Sequence, residues 1–401
     1  MKVLFVFGGS PEDASNRYRC QQLCEALGLA GHEPQWASSD QSAVRVEHDL
    51  VVIHRLPGGA AQRWIAAARK VGAGVVFSAD DLIFDEEFAV HKGILHTHDP
   101  LQRRSAARSV AGMRETISQS DAVLVSTEYL AREAAVLGKP ALVVRNCPGK
   151  EILQASERAH AARQRRLAAR NDDRVLLGYL SGSATHDADL ADIAGPLAEA
   201  LARHPNARLL IVGEVGLPGS LLPFAEAGRI QRHPFIDWRA LPDLLATIDI
   251  NLAPLDLTRP FCHAKSEVKW LEAAAVGVPT VASAAAGLSE TLSDTDGCLL
   301  CGSDGQFLDT LTVLIAAPER RQRHGDAARA ALTTRVAAAP AAVDAALCPL
   351  ARTANGSVVV HKPGSEKLWS RIWAAEATFF RRWHYFRRHF REVSERHENG
   401  A

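Results

Sequence analysis

Three ionisable residues, Lys265, Lys269 and Glu272, follow one another at spacings of four and three, seven from first to last, which on a helix places them along one side. They open the stretch Ala264–Ser283, which reads as a short loop, an amphipathic helix over Lys265–Val276, a Gly-Val-Pro turn and an apolar strand. A carboxylate can accept from a ribose diol, while two ammonium groups and the free N–H groups of a helix N-terminus face negative charge. Such a set suits a ligand carrying both hydroxyls and phosphates. A solvated Lys/Glu helix face would have the same composition.

A second set lies between Gly178 and Asp187. Small residues after a strand let backbone amides approach a diphosphate, and Ser181, Ser183 and Thr185 add hydroxyls beside Gly178, Gly182 and His186. The plainer reading is a strand-to-helix turn with Thr185 or Asp187 as N-cap. Further candidates end the strands of the first half. Gly8, Gly9 and Ser10 offer backbone amides after the first strand. Arg17 and Arg19 flank Tyr18 early in the first helix, where a guanidinium facing a cleft pairs with phosphate in fork geometry. Paired carboxylates at Asp80 and Asp81 could act as a base, orient acceptor hydroxyls, bind a metal or cap a helix, and His54 and Arg55 end a neighbouring strand.

The elements that must position these residues alternate regularly. Apolar runs such as Val3–Phe7, Asp49–His54, Gly74–Phe77 and Ala122–Ser126 are separated by helical patterns, including Asn16–Leu29, Ala61–Lys70 and Leu101–Ser118. Strands that are apolar throughout and alternate with helices predict a parallel sheet covered on both faces. The same grammar restarts at Val175–Leu180 and continues through Ala207–Val212, Ile230–His233, Asp249–Ala253 and Thr280–Ala282, ending in a helix near Gln306–Arg335. The expected organisation is a first α/β domain over 1–150, a linker helix over 151–173, a second α/β domain over 174–345 and an extension over 346–401. A ligand then binds in the cleft facing the strand C-termini.

Composition sets the frame. The 401 residues carry 46 Lys+Arg and 46 Asp+Glu, so no basic field recommends nucleic acid. No apolar run has the length of a signal peptide or a membrane span. Seven cysteines without paired or metal-type spacing argue for reduced thiols in a cytoplasm.

These motifs resemble those of retaining glycosyltransferases with the two-domain GT-B fold, of the family 4 (group 1) type. The matching pieces are Gly178–Asp187, Asp249-Ile-Asn-Leu-Ala-Pro-Leu255 and Lys265–Ser283, with weaker matches at the Gly-rich loop, Asn16–Arg19, Ala79-Asp-Asp-Leu82, Ser126-Thr-Glu128 and Arg145-Asn146. The resemblance implies two Rossmann-like domains and transfer of a sugar, with retention, from a nucleoside-diphosphate sugar to a hydroxyl acceptor. It implies no bound metal and no further cofactor. Glu272 would hold the ribose, Lys265 with Lys269 would stabilise the departing diphosphate, and Ser266 and His263 would border the donor. Asp80 and Asp81 would serve the acceptor, a glycan or lipid-linked molecule of bacterial cell-surface polysaccharide or glycoconjugate synthesis, at the inner face of a membrane.

Two departures from the family pattern matter. The family's two glutamates have seven residues between them; counting back from Glu272 lands on Ala264, so the first is absent, and Glu267 sits at another spacing. No arginine or lysine lies between Gly178 and Asp189, which leaves Lys265 and Lys269 as the diphosphate cations. A GT-B sugar-nucleotide epimerase and a non-catalytic nucleotide-sugar-binding protein are therefore the rival functions. The segment 365–397 interleaves Trp369, Trp373, Trp383 and Phe390 with Arg371, Arg381, Arg382, Arg387, Arg388 and Arg391. It suits packing on the first domain, oligomer contact or docking on an anionic membrane.

Overall fold

The computed structural model describes residues 1–86, 100–181 and 187–361. Strands β1 (Lys2–Phe7), β2 (Glu33–Ser38), β4 (Leu50–His54), β5 (Gly74–Ala79), β6 (Ala122–Val125) and β7 (Ala141–Val143) form one sheet, with a short β3 (Ala43–Val46) outside it. Its order is β2-β1-β4-β5-β6-β7, all parallel. The second half builds β8 (Val175–Leu180), β9 (Ala207–Val212), β10 (Ile230–His233), β11 (Ile250–Ala253), β12 (Thr280–Ser283) and β13 (Cys298–Cys301) into a sheet of order β10-β9-β8-β11-β12-β13. The strand of Cys298–Cys301 was not foreseen; four residues leave little pattern to read.

Burial explains the continuous apolar runs. Every residue of β4 and β5 is buried, because helices cover both faces of the sheet. Register then sets the site: Phe7 lies opposite His54, and His54 opposite Ser78. The C-terminal ends of β1, β4 and β5 thus finish side by side, bringing Gly8, Arg55 and Asp80 to one edge.

The first helix departs from the expected regular run. It begins at Ala14–Asn16, widens into a π-helical turn over Arg17–Gln21 and resumes at Gln22–Leu29. The wider turn spreads its side chains around the axis, so Arg17, Tyr18, Arg19 and Cys20 are all buried. No hydrophobic periodicity announces such a turn.

The helix Lys150–Ala168 leads from the first half to the second, and its buried Arg163 donates to the Ile248 carbonyl. The terminal helix proves to be two, Asp304–Ala316 and Pro318–Leu347. The second crosses the boundary expected at 345 and carries Pro340 within it. Its Ala328 and Leu332 pack in a second-half cluster with Trp270, whereas Val343 and Leu347 pack with Val3, Phe5 and Leu27 of the first half. Contrary to the reading that no segment could span a bilayer, Pro318–Leu350 is long and apolar enough to do so by length and composition. The aromatic, arginine-rich segment 365–397 lies outside the described residues.

Candidate functional site

At the edge where β1, β4 and β5 end, one hydroxyl organises the polar groups. Ser15 Oγ donates to Asp80 Oδ1 at 2.6 Å and lies 2.9 Å from His54 Nε2. Since its proton goes to Asp80, Ser15 accepts from His54, which must hold its proton on Nε2 and accept from Ser78 Oγ at Nδ1, 3.3 Å away. Burial holds the imidazole well below its ordinary range, in agreement with a neutral ring. Arg55 donates to Ser15 Oγ at 2.9 Å and to Asp80 at 3.3 Å. It does so from a left-handed backbone (φ 54°), uncommon for a residue with a side chain and often found where geometry serves function. The Gly-rich loop is fastened from within, by Asn16 Nδ2 donating to the carbonyls of Gly8 at 2.9 Å and Ser10 at 2.8 Å.

On the opposite side, a short helix Pro260–His263 ends at Ala264, and the main helix begins only at Val268 and runs to Ala275. Glu267 is its N-cap, and this buried carboxylate pairs with Arg335 and with Arg145 at 3.5 Å. Held by two arginines, it does not enter the helix, which separates Lys265 from Lys269. Lys269 and Glu272 remain one turn apart. The Lys269 ammonium is buried with no hydrogen-bond partner among the described residues, 4.6 Å from the centroid of the Tyr179 ring, and burial lowers its pKa. Glu272 is pushed up to about 7, chiefly by burial, with Arg17, Tyr18 and Lys269 acting in the opposite sense.

Several contacts join the two sides. Tyr18 donates its hydroxyl to Glu272 Oε1 at 3.4 Å, and Lys265 Nζ pairs with Asp81 at 2.7 Å. Asn146 Nδ2 donates to Ser266 Oγ at 2.9 Å, and Thr127 Oγ1 to the Ala264 carbonyl at 3.4 Å. Trp238 Nε1 donates to Glu12 at 2.8 Å, with the guanidiniums of Arg17 and Arg239 each 4.2 Å from its ring centroid. A cavity of about 640 Å³ lined by Arg163, Arg170, Asp172, Asp249 and Arg321 lies at the other, N-terminal end of β8, away from this cleft.

Residues 195–339 match a family model described as glycosyl transferase-like. The structure resembles HepE of Anabaena, solved with UDP, at TM-score 0.59 and 15% identity over 87% of this chain and all of that one. It also resembles sucrose-phosphate synthase of Thermosynechococcus elongatus (TM-score 0.56, 14% identity, 86% and 98% coverage) and WaaG, a glycosyltransferase involved in lipopolysaccharide biosynthesis (0.55, 16%, 86% and 99%). The fold is GT-B. No curated protein matches the chain by sequence.

Within this GT-B cleft the expected residues fall into three groups. Lys265 pairs with Asp81 and Glu272 accepts from Tyr18 where the halves meet, Lys269 stands one turn from Glu272, Ser15 gathers Asp80, His54 and Arg55, and Arg17 and the Gly8–Ser10 loop are their neighbours in the first half. Gly182, Ser183, Thr185 and His186 lie outside the described residues. The third group serves the framework. Gly178 is interior to β8, where a Cβ would stand 2.6 Å from Ile248 Cδ1, so its smallness serves packing. Ser181 is buried and gives its N–H to the Val212 carbonyl at 3.0 Å. His263 spends both ring nitrogens on backbone, donating to the Leu257 carbonyl at 3.0 Å and accepting from Ala286 N–H at 3.1 Å. Arg19 is fully buried and turns away, donating to the Val144 carbonyl at 2.6 Å and to Asn146 at 3.2 Å. Ser266 is taken up by Asn146. Sequence reasoning missed Ser15, Tyr18, Glu12 and Trp238, since a lone hydroxyl or aromatic carries no spacing signal. Only the Asn16–Arg19 block drew attention to Tyr18.

Proposed function

We propose that the chain is a retaining glycosyltransferase that moves a sugar from a nucleoside-diphosphate sugar to a hydroxyl of a glycan or lipid-linked acceptor. The observation that carries this reading is the pair Lys269 and Glu272. They stand one turn apart, one a buried ammonium without a hydrogen-bond partner among the described residues, the other a carboxyl forced toward neutrality. A buried ammonium that has a ring face but no hydrogen-bond acceptor among the described residues is costly, and a bound diphosphate and ribose diol would supply further contacts. Glu272 would accept from the ribose, and Lys269 would face the diphosphate, joined by Lys265 once Asp81 releases it. Cationic groups fixed where charge develops on the leaving diphosphate stabilise the transition state. HepE, solved with UDP and with UDP-glucose, supports a nucleotide-sugar donor in this architecture.

On the acceptor side, Asp80 and Asp81 would orient a hydroxyl. The His54–Ser15 pair would hold Asp80 and keep a neutral imidazole beside it. A cell-surface glycan made at a cytoplasmic membrane face is the acceptor class that fits the family pattern.

The test begins with saturation-transfer NMR against UDP-, GDP- and dTDP-sugars, followed by transfer assays with and without sugar acceptors using wild-type and Glu272→Ala protein. Transfer with the product's anomeric configuration retained, and lost in the variant, is the expected result. Donor binding without turnover would overturn the transferase reading, and donor conversion without acceptor would identify an epimerase.

A further inference from the structure

Away from the cleft, the end of the helix Pro318–Leu347 meets the loop after the first helix. Asp344 and Cys348 lie at i and i+4, so both project from one face. His32 comes to that face from 312 residues earlier in the chain. His32 Nε2 is 2.6 Å from Asp344 Oδ1, Cys348 Sγ is 2.8 Å from the same oxygen, and Cys348 Sγ is 3.7 Å from His32 Nε2. One imidazole nitrogen, one carboxylate oxygen and one sulfur thus converge within 4.8 Å of one another.

We propose that His32, Asp344 and Cys348 form a binding site for a borderline-soft divalent transition metal, Zn²⁺ by preference. Imidazole, carboxylate and thiolate together make a zinc-type ligand set, whereas calcium and magnesium take oxygen ligands. Zinc bond lengths of about 2.0–2.3 Å in tetrahedral geometry set ligand atoms about 3.3–3.5 Å apart. The His32–Cys348 separation is already of that size. The two short contacts to Asp344 are hydrogen bonds whose protons the metal would replace. A shift of about 0.7 Å by the Asp344 carboxylate, whose side chain is 43% exposed, would open both to zinc-like spacing.

The cation would displace the protons of the Cys348 thiol and of His32 Nε2, and the Met1 ammonium, 3.2 Å from Nδ1, would supply the proton that Nδ1 then holds. Water would take the fourth position. Bound there, the metal would staple the returning helix to the first half, independently of the sugar-transfer reading. The sequence shows no metal spacing because two ligands lie at one end of the chain and the third at the other.

Co²⁺ titration of the full-length reduced protein tests this. Expected are one equivalent bound with a thiolate-to-cobalt charge-transfer band, its displacement by Zn²⁺, and a raised thermal midpoint in Zn²⁺. Cys348→Ser, at an exposed position, should lose the band and the zinc-dependent shift, as should His32→Ala, while Cys147→Ser keeps both. Absence of a band in wild-type protein, or its persistence in Cys348→Ser, would overturn the proposal and leave a His–Asp–Cys hydrogen-bond cluster.

Discussion

The Tyr18 hydroxyl lies 3.4 Å from Glu272 Oε1, so the π-helical turn of one half touches the donor-side helix of the other across 254 residues of chain. Burial decides how Glu272 titrates, opposed by Arg17, by this contact and by Lys269. Its carboxyl moves from an ordinary 4.5 to about 7. Between those values the folded protein holds a proton the unfolded chain has lost. This contribution to stability is therefore complete below about pH 4.5 and is lost as pH rises toward 7. Glu272→Gln removes the ionisation. The variant should be more stable than wild type at about pH 8, similar to it at about pH 4.5, and weaker in donor binding. Thermal midpoints across this range check the claim; parallel curves for the two proteins would refute it.

Lys269 presents the complementary case. An ammonium buried without a hydrogen-bond partner among the described residues costs stability. Lys269→Met keeps the stem and removes the charge. The expected outcome is a higher thermal midpoint together with loss of affinity for nucleoside diphosphate. A hydrogen bond to a charged group is worth about 1.5–3 kcal/mol, so the dissociation constant for UDP or GDP should rise about 10- to 100-fold. Calorimetric titration measures it, and unchanged affinity would remove Lys269 from the donor site.

Much of this architecture is legible in the residues. The fully apolar runs of β1, β4 and β5 mark a two-faced parallel sheet, and Val175–Leu180, Ala207–Val212 and Ile230–His233 have the bounds read from pattern alone. What escaped are features set by tertiary contact. Lys265, Lys269 and Glu272 have helical spacing, yet Arg145 and Arg335 hold Glu267 as the N-cap and leave Lys265 in the preceding loop. Local spacing carries no information about arginines 122 residues before and 68 residues after. His263 likewise reads as a residue bordering the donor, whereas the neighbouring backbone of Leu257 and Ala286 takes both its nitrogens.

Asp81 and Lys265 face each other across the cleft at 2.7 Å, with side chains about one-fifth exposed. If Lys265 serves the diphosphate, Asp81 competes for it when the donor is absent. Asp81→Asn should then tighten binding of free UDP or GDP while lowering turnover, because the acceptor loses a carboxylate. Lys265→Ala should weaken nucleotide binding and slow transfer. Steady-state kinetics separate the two effects: a lower donor KM with a lower kcat is expected for Asp81→Asn, and an unchanged donor KM would show that the pair serves only to join the halves.

Gly287 decides how closely the Lys265 loop can be held. It lies in the short helix Ala286–Ser289, and its carbonyl accepts from Arg145 at 3.1 Å. A Cβ there would stand 2.4 Å from the Lys265 carbonyl oxygen and 3.0 Å from that of His263, both backbone atoms unable to swing aside. Gly287→Ala must therefore displace the loop that carries Lys265. Overpacking of this kind costs about 1–3 kcal/mol, and the displacement should also weaken nucleotide binding. Gly195→Ala is the matched control: it lies in the helix Ala194–Arg203 with nothing within 4 Å of the added methyl. There the helix gains about 0.5–1 kcal/mol. Denaturant unfolding of the two variants should give shifts of opposite sign, with nucleotide affinity changed only in Gly287→Ala. Equal and small effects in both would mean that the loop's position does not depend on the missing side chain.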